Sequence, residues 1–185
     1  LQLPQASVIA GGVTVLKDTR NNLLNSQRGV YGEATTLYNS GTGYHYAKLY
    51  LDGRAYRQIT PRLTGALRLY NEFTLGDPPF FDYALSGGDK RVRGYFFGRY
   101  RDRNLSTLQA ETRLQVYRRW GVAAFGGVAG VYPSFKNIAF NSLHPNYGGG
   151  LRFMIDRAQQ INLRVDYAMG IDGQSGFYIA FGESF

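Results

Sequence analysis

Cysteine is absent from the 185 residues. Its absence excludes a disulfide framework, a cysteine-ligated zinc site and a thiol nucleophile. Histidine is nearly absent, and His45 and His144 are too few for an all-histidine metal site. Lysine is scarce, so arginine supplies most of the 21 cations; the 13 acidic residues leave a net charge of +8. No apolar run reaches the roughly 18 residues of a membrane-spanning helix. The longest runs only from Val122 to Tyr132. No leader pattern or initiator methionine opens the sequence, so a processed or trimmed chain is expected. What is present is glycine (24), tyrosine (15) and phenylalanine (12), with 44% hydrophobic residues, which argues for one folded domain and against disorder. A water-soluble β-sandwich fits this composition, and so does a transmembrane β-barrel, whose strands escape a hydropathy scan.

The period along the chain is two. From Tyr44 to Tyr56, one face takes Tyr44, Tyr46, Lys48, Tyr50, Asp52, Arg54 and Tyr56, and the other His45, Ala47, Leu49, Leu51, Gly53 and Ala55. Arg62 to Leu75, Thr107 to Tyr117, Ile161 to Gly170 and the C-terminal stretch repeat the alternation. In the last of these, Phe177, Ile179, Phe181 and Phe185 oppose Tyr178, Ala180, Gly182 and Ser184. Weaker strands are expected at Val8–Lys17, Gly29–Asn39, Gly121–Val131 and Asn146–Ile155. The expectation is about nine antiparallel strands and no helix, an all-β chain at roughly 20 residues per strand and connection.

Periodicity alone leaves open which face is inside. In a sandwich the apolar face is the core; in a membrane barrel it meets lipid, and the polar face lines the lumen. Three features favour the barrel. Aromatics sit near strand ends (Tyr38, Tyr44, Tyr56, Phe73, Tyr117, Trp120, Phe177, Phe185). The strands exceed soluble lengths. Connections after Tyr56, Tyr117 and Ile155 are short, whereas those after Leu75 and Val131 are long. Placing the C-terminus on the short-turn side puts Leu1 on the opposite side. Nine is an odd number, so the expectation is either one miscounted strand or further strands upstream of Leu1.

Several motifs fall in a recognisable order. The long connection, about residues 76–104, holds Gly87-Gly88 and then Val92-Arg93-Gly94-Tyr95. Asp18-Thr-Arg-Asn-Asn22 with Arg28-Gly29 precedes it; Glu111-Thr-Arg113, Gly148-Gly-Gly-Leu-Arg152, Arg164-Val-Asp-Tyr167 and the terminal Phe181-Gly-Glu-Ser-Phe185 follow it. Together these resemble the C-terminal barrel of the Omp85 superfamily, the bacterial surface antigen family of the BamA and TamA type. The resemblance spans the chain from about Val8, so residues 1–185 are expected to form one outer-membrane β-barrel unit. It implies strands eight to sixteen of a sixteen-stranded barrel in the bacterial outer membrane, and a role in inserting or translocating outer-membrane proteins through a lateral seam. The implied partners are membrane lipid, lipopolysaccharide, client outer-membrane proteins or other subunits of a membrane complex. No cofactor, metal or catalysis is implied. No POTRA-type soluble domain precedes the barrel in the sequence, which resembles POTRA-less relatives. A barrel without insertase activity (an accessory component or membrane anchor) and a small pore are the competing readings.

The resemblance also supplies candidate residues. Val92, Arg93, Gly94 and Tyr95 would lock the loop inside the lumen, with Gly94 turning the backbone and Tyr95 filling space beside the wall. The family's usual aspartate partner for the arginine falls at Gly127 here, so Glu111, inward on the neighbouring strand, is the expected substitute. Phe177, Phe181, Gly182 and Phe185 mark the closing strand and its docking signal, with Phe185 expected at the lipid interface. The plainer reading of Arg93 is a solvated loop arginine among Lys90, Arg91, Arg99, Arg101 and Arg103. That basic, aromatic run could be taken for a nucleic-acid site, but it lacks a helix or an RNA-binding spacing. Glu111, Asp166 and Asp52 each have a nearby arginine on the same face, an ion-pair pattern rather than a hydrolytic pair.

Overall fold

A computed structural model gives the fold and describes residues 7–134 and 143–185. Nine long strands form one antiparallel meander. In chain order they are β1 (Val8–Asp18), β2 (Gly29–Gly41), β3 (Tyr44–Thr60), β4 (Leu63–Gly76), β7 (Asn104–Tyr117), β8 (Trp120–Tyr132), β9 (Leu143–Asp156), β10 (Ile161–Met169) and β11 (Ser175–Phe181). The β4–β7 connection carries a two-stranded ribbon, β5 (Ala84–Ser86) with β6 (Tyr100–Asp102), and a 3-10 turn at Phe80–Asp82. No helix among the described residues is long and apolar enough to cross a membrane. Every long strand pairs with its sequence neighbour in the sheet, but β1 and β11 do not pair with each other, so the sheet is open.

Burial decides between the two β architectures. The covered side chains are charged: Lys48, Arg68, Glu72, Glu111, Arg113, Arg152, Arg164 and Asp166 are all buried. The bare ones are apolar: Ile9, Leu69, Leu75, Leu108, Leu151, Phe177, Ile179 and Phe181. A sandwich would bury the second set. An inside-out sheet of this kind is stable where its outer face meets hydrocarbon.

The sheet is curled. Phe185, beyond the last strand, packs against Tyr56 of β3 and Ala66 of β4. At the short-connection end, the Asn22 side chain donates to the Gln159 carbonyl between β9 and β10 (2.9 Å), and Glu183 N–H donates to the Leu24 carbonyl (2.8 Å). The ten residues between β1 and β2 thus reach across to the C-terminal side. Asn21 and Asn22 shape this segment. Asn22 Oδ1 accepts the N–H groups of Leu24 (2.8 Å) and Asn25 (2.9 Å); Asn21 Oδ1 accepts those of Gln27 and Arg28.

Two expectations need correction. Long and short connections do not alternate cleanly, because β1–β2 is long on the short-turn side and β2–β3 is a tight turn with Gly43 at φ +80°. Phe185 is not on the outer face with Phe177 and Phe181. The strand ends at Phe181, Gly182 adopts φ +76°, and the chain turns inward, leaving Phe185 only 5% exposed.

Candidate functional site

The concave side of β7–β10 offers room where side chains are small. Cross-strand pairing sets Arg113, Ala123, Gly150 and Asp166 in one inward row, and Glu111, Phe125, Gly148 and Ala168 in the next. A Cβ at Gly150 would stand 2.6 Å from the Val165 carbonyl oxygen and 2.8 Å from Arg152 Nη1, so glycine is required for the polar groups beside it to approach. Into this space the β4–β7 loop inserts its Val92–Tyr95 segment.

Arg93 is 1% exposed. Its Nη1 donates to Asp166 Oδ2 (2.6 Å) and its Nη2 to Glu111 Oε2 (2.6 Å), and its guanidinium carbon lies 3.4 Å from the Phe125 ring centroid. Two carboxylates from β7 and β10 therefore hold one cation above an aromatic face. The Arg93 carbonyl accepts the Asn146 side-chain amide (2.7 Å). Gly94 turns at φ +99°, a region closed to most side chains, and its N–H donates to Tyr178 Oη on β11 (2.9 Å). Tyr95 Oη donates to the Pro145 carbonyl (2.6 Å) and accepts the Ile171 N–H (2.9 Å). Burial pushes the Tyr95 phenol above its ordinary pKa. Val92 and Tyr95 share an apolar cluster with Ala84, Leu105 and Ala129.

The network extends beyond Arg93. Arg113 Nε donates to Glu111 Oε1 (2.6 Å), Arg152 Nε to Glu183 Oε2 (2.8 Å), and Arg164 Nη1 to Asp166 Oδ2 (2.8 Å). Arg152 also reaches Asp166, and Arg164 reaches Asp89 of the loop. Arg152 and Arg164 face each other across β9 and β10, so Asp166 separates two like charges. Each of these cations would be costly to bury without a carboxylate. A second cluster sits on β3 and β4, where Lys48 bridges Glu72 (3.0 Å) and Asp82 (2.9 Å), and Asp52 takes Arg54 and Arg68. Both clusters clamp the loop to the wall, since Asp82 and Asp89 are loop residues and Arg68 also donates to the Lys90 carbonyl.

The structure brings Val92, Arg93, Gly94, Tyr95 and Glu111 into one buried group. It places Phe177 and Phe181 on the opposite, outer face of β11, with Gly182 at the bend and Phe185 inside. Four residues of the site were not singled out for it from sequence: Asp166 as a partner of Arg93, Phe125 beneath the guanidinium, Tyr178, and Glu183. Their inward parity was legible for Asp166 and Tyr178. Glu183 had no such signal, because it lies beyond the bend. The rest of the basic run disperses: Arg91 turns to Glu72 and Arg103 to Asp77, while Arg99 and Arg101 stack on Phe96 and Phe80.

Comparison with curated proteins finds no match. The family model described as the Omp85 superfamily domain matches residues 6–185. With that coverage, and with an all-β inside-out sheet of the outer-membrane barrel type, the chain belongs to the Omp85 superfamily.

Proposed function

We propose that the chain forms the C-terminal wall of an outer-membrane barrel that inserts or translocates other outer-membrane proteins. The observation that carries this is the pairing state of the closing strand: β11 has β10 as its only neighbour. In lipid, unpaired backbone groups must find partners. An incoming strand adding to such an edge satisfies both chains. On this reading the nine strands correspond to strands eight to sixteen of sixteen, the short connections are periplasmic, and the loop of residues 76–104 is extracellular. Val92–Tyr95 lock that loop against the wall through Glu111 and Asp166. Phe177 and Phe181 form the outward docking signal of the closing strand, and Gly182 sets where it ends. Membrane lipid, lipopolysaccharide at the outer rim, and client proteins or other complex subunits are the partners.

A second reading, a barrel without insertase activity, draws on the tail. Glu183 is held by Arg152 and Asn162, Ser184 donates to the Asp89 carbonyl, and Arg113 donates to the Phe185 carbonyl oxygen. A seam tied down in this way suits an accessory component or membrane anchor.

Cysteine scanning separates the two readings, because the native chain has no cysteine to interfere. A single cysteine at Ile179 on β11 is expected to cross-link to an assembling client protein in cells, and ones at Val13 on β1 and Leu108 in mid-wall are not. If the β11 edge captures no client, and deletion leaves outer-membrane protein levels unchanged, the insertase reading fails and the accessory reading stands.

A further inference from the structure

We propose that the rim at the short-connection end is a binding belt for the phosphate groups of anionic phospholipids. The proposal rests on the membrane-spanning reading above. It starts from where the net charge of +8 resides. On the concave side, cations and carboxylates balance: Arg93, Arg113, Arg152 and Arg164 are matched by Glu111, Asp166, Glu183 and Asp89. At the long-loop rim, Arg103 pairs with Asp77 (2.7 Å), while Arg99 and Arg101 form no ion pair among the described residues and lie over the Phe96 and Phe80 rings; Asp102 and Asp172 stand at the same end.

The opposite rim is unbalanced. Arg57, Arg62, Arg118, Arg119 and Arg157 come from the end of β3 and the β3–β4, β7–β8 and β9–β10 turns. All five are exposed, and among the described residues none has a carboxylate within ion-pair distance; Arg28 of the β1–β2 segment shares this rim, also without a carboxylate, but is held by the Gln58 side chain (2.9 Å). The nearby carboxylates are committed elsewhere: Asp18 pairs with Arg20, and Asp156 accepts the N–H groups of Ala158 (2.7 Å) and Gln159 (3.1 Å). Five unpaired arginines at one end of a molecule that pairs most of its other cations call for an external anion.

Their setting indicates which anion. Arg118 and Arg119 lie between Tyr117 and Trp120, both more than half exposed, and Trp120 packs on Phe153 with ring centroids 4.8 Å apart. Aromatics of this kind mark the level where hydrocarbon gives way to headgroups. The cations therefore stand at the edge of the apolar band, on successive turns from β3 to β10. A guanidinium grips a phosphodiester through two parallel hydrogen bonds, which an ammonium cannot do. Each basic group near an anionic membrane surface contributes about 1 kcal/mol, or about fivefold in local headgroup preference.

The test uses the full-length protein reconstituted into phosphatidylcholine vesicles with a minority of phosphatidylglycerol. Spin-labelled phosphatidylglycerol and phosphatidylcholine report the lipid held at the protein surface. The wild-type protein is expected to hold phosphatidylglycerol several-fold in preference, with the preference shrinking as salt is raised. Changing all five arginines to glutamine should abolish it, whereas Arg99→Gln with Arg101→Gln at the other rim should leave it intact. Equal preference in the wild type and the five-fold variant overturns the belt alone. Failure of the wild type to insert into either lipid, seen as full protease digestion of the strands, overturns the membrane reading together with the belt.

Discussion

β1 and β10 alternate alike in the sequence, yet they end up in opposite environments. The inward residues of β10, namely Asn162, Arg164, Asp166 and Ala168, are all buried, while β1 is exposed on both faces along nearly its whole length. The difference lies in what faces them. Asp166 meets Arg93 from the loop, Arg152 from β9 and Arg164 from its own strand. The inward face of β1 carries Ala10, Gly12, Thr14 and Leu16, and none of the described loop residues packs on it. Alternation makes both segments strands; the filling of the concave side makes one of them a fixed wall.

The comparison breaks most visibly at Glu111, which is engaged by Arg93, Arg113 and, at longer range, Arg152. Glu111→Ala leaves Asp166 and Glu183 alone to neutralise three buried arginines and is expected to cost about 3 kcal/mol. Urea unfolding of the refolded barrel measures the loss, and faster proteolysis of the loop locates it. Arg93→Ala should do less harm, because Glu111 and Asp166 keep other arginines. The double variant should fall close to Glu111→Ala alone; strictly additive losses would show that the two do not act as one unit. Thr14→Ala on β1, which removes an exposed hydroxyl contact to Thr35 (2.9 Å), should shift unfolding by no more than about 0.5 kcal/mol.

A smaller contrast lies within the last residues. Phe181 is 72% exposed on the outer face, and Phe185 is buried against Tyr56 and Ala66. Phe185→Ala opens a cavity inside and is expected to cost about 3 kcal/mol. Phe181→Ala in lipid should cost less than about 1 kcal/mol, since it exchanges one apolar contact for another. Equal losses in the same unfolding assay would place both rings in the same environment and reject the inward turn of the tail.

That turn also shows where reading the sequence stopped. Parity located the nine strands and their inward faces, because each strand obeys one local rule over ten or more residues. Parity ran on through Gly182 and put Phe185 outside; a single residue at positive φ resets it. The motif Val92-Arg93-Gly94-Tyr95 pointed to Glu111 as the substitute for the absent acid at Gly127. Asp166, 73 positions away, is an equally close partner. Its inward orientation was legible in Arg164-Val-Asp166, but which cation it meets depends on how far the sheet curls. No periodicity within a strand encodes that curvature. The β2–β3 turn falls in the short gap between the expected strands Gly29–Asn39 and Tyr44–Tyr56, and it breaks only the rule that connections on that side are long.

A last pair of substitutions sharpens the same comparison by reversing its sign. Gly94 lies beside the end of β10 in the filled part of the molecule, and Gly32 lies within β2 on the sparse side. At Gly94 the backbone has φ +99°, and a Cβ would lie 2.9 Å from the Met169 carbonyl carbon and 3.0 Å from its oxygen. Those atoms belong to the end of β10 and cannot swing away as a side-chain tip can. Gly94→Ala should therefore cost about 1–3 kcal/mol and loosen the Val92–Tyr95 segment. At Gly32 nothing lies within 4 Å of the added carbon and φ is ordinary, so the methyl enters open space on the outer face. There the substitution acts mainly by restricting the unfolded chain, and Gly32→Ala is expected to stabilise by about 0.4–1 kcal/mol. Parallel unfolding curves displaced in opposite directions would show that packing, rather than strand position, separates the two sides of the sheet. A loss at Gly32 as large as that at Gly94 would mean that another surface already covers β2.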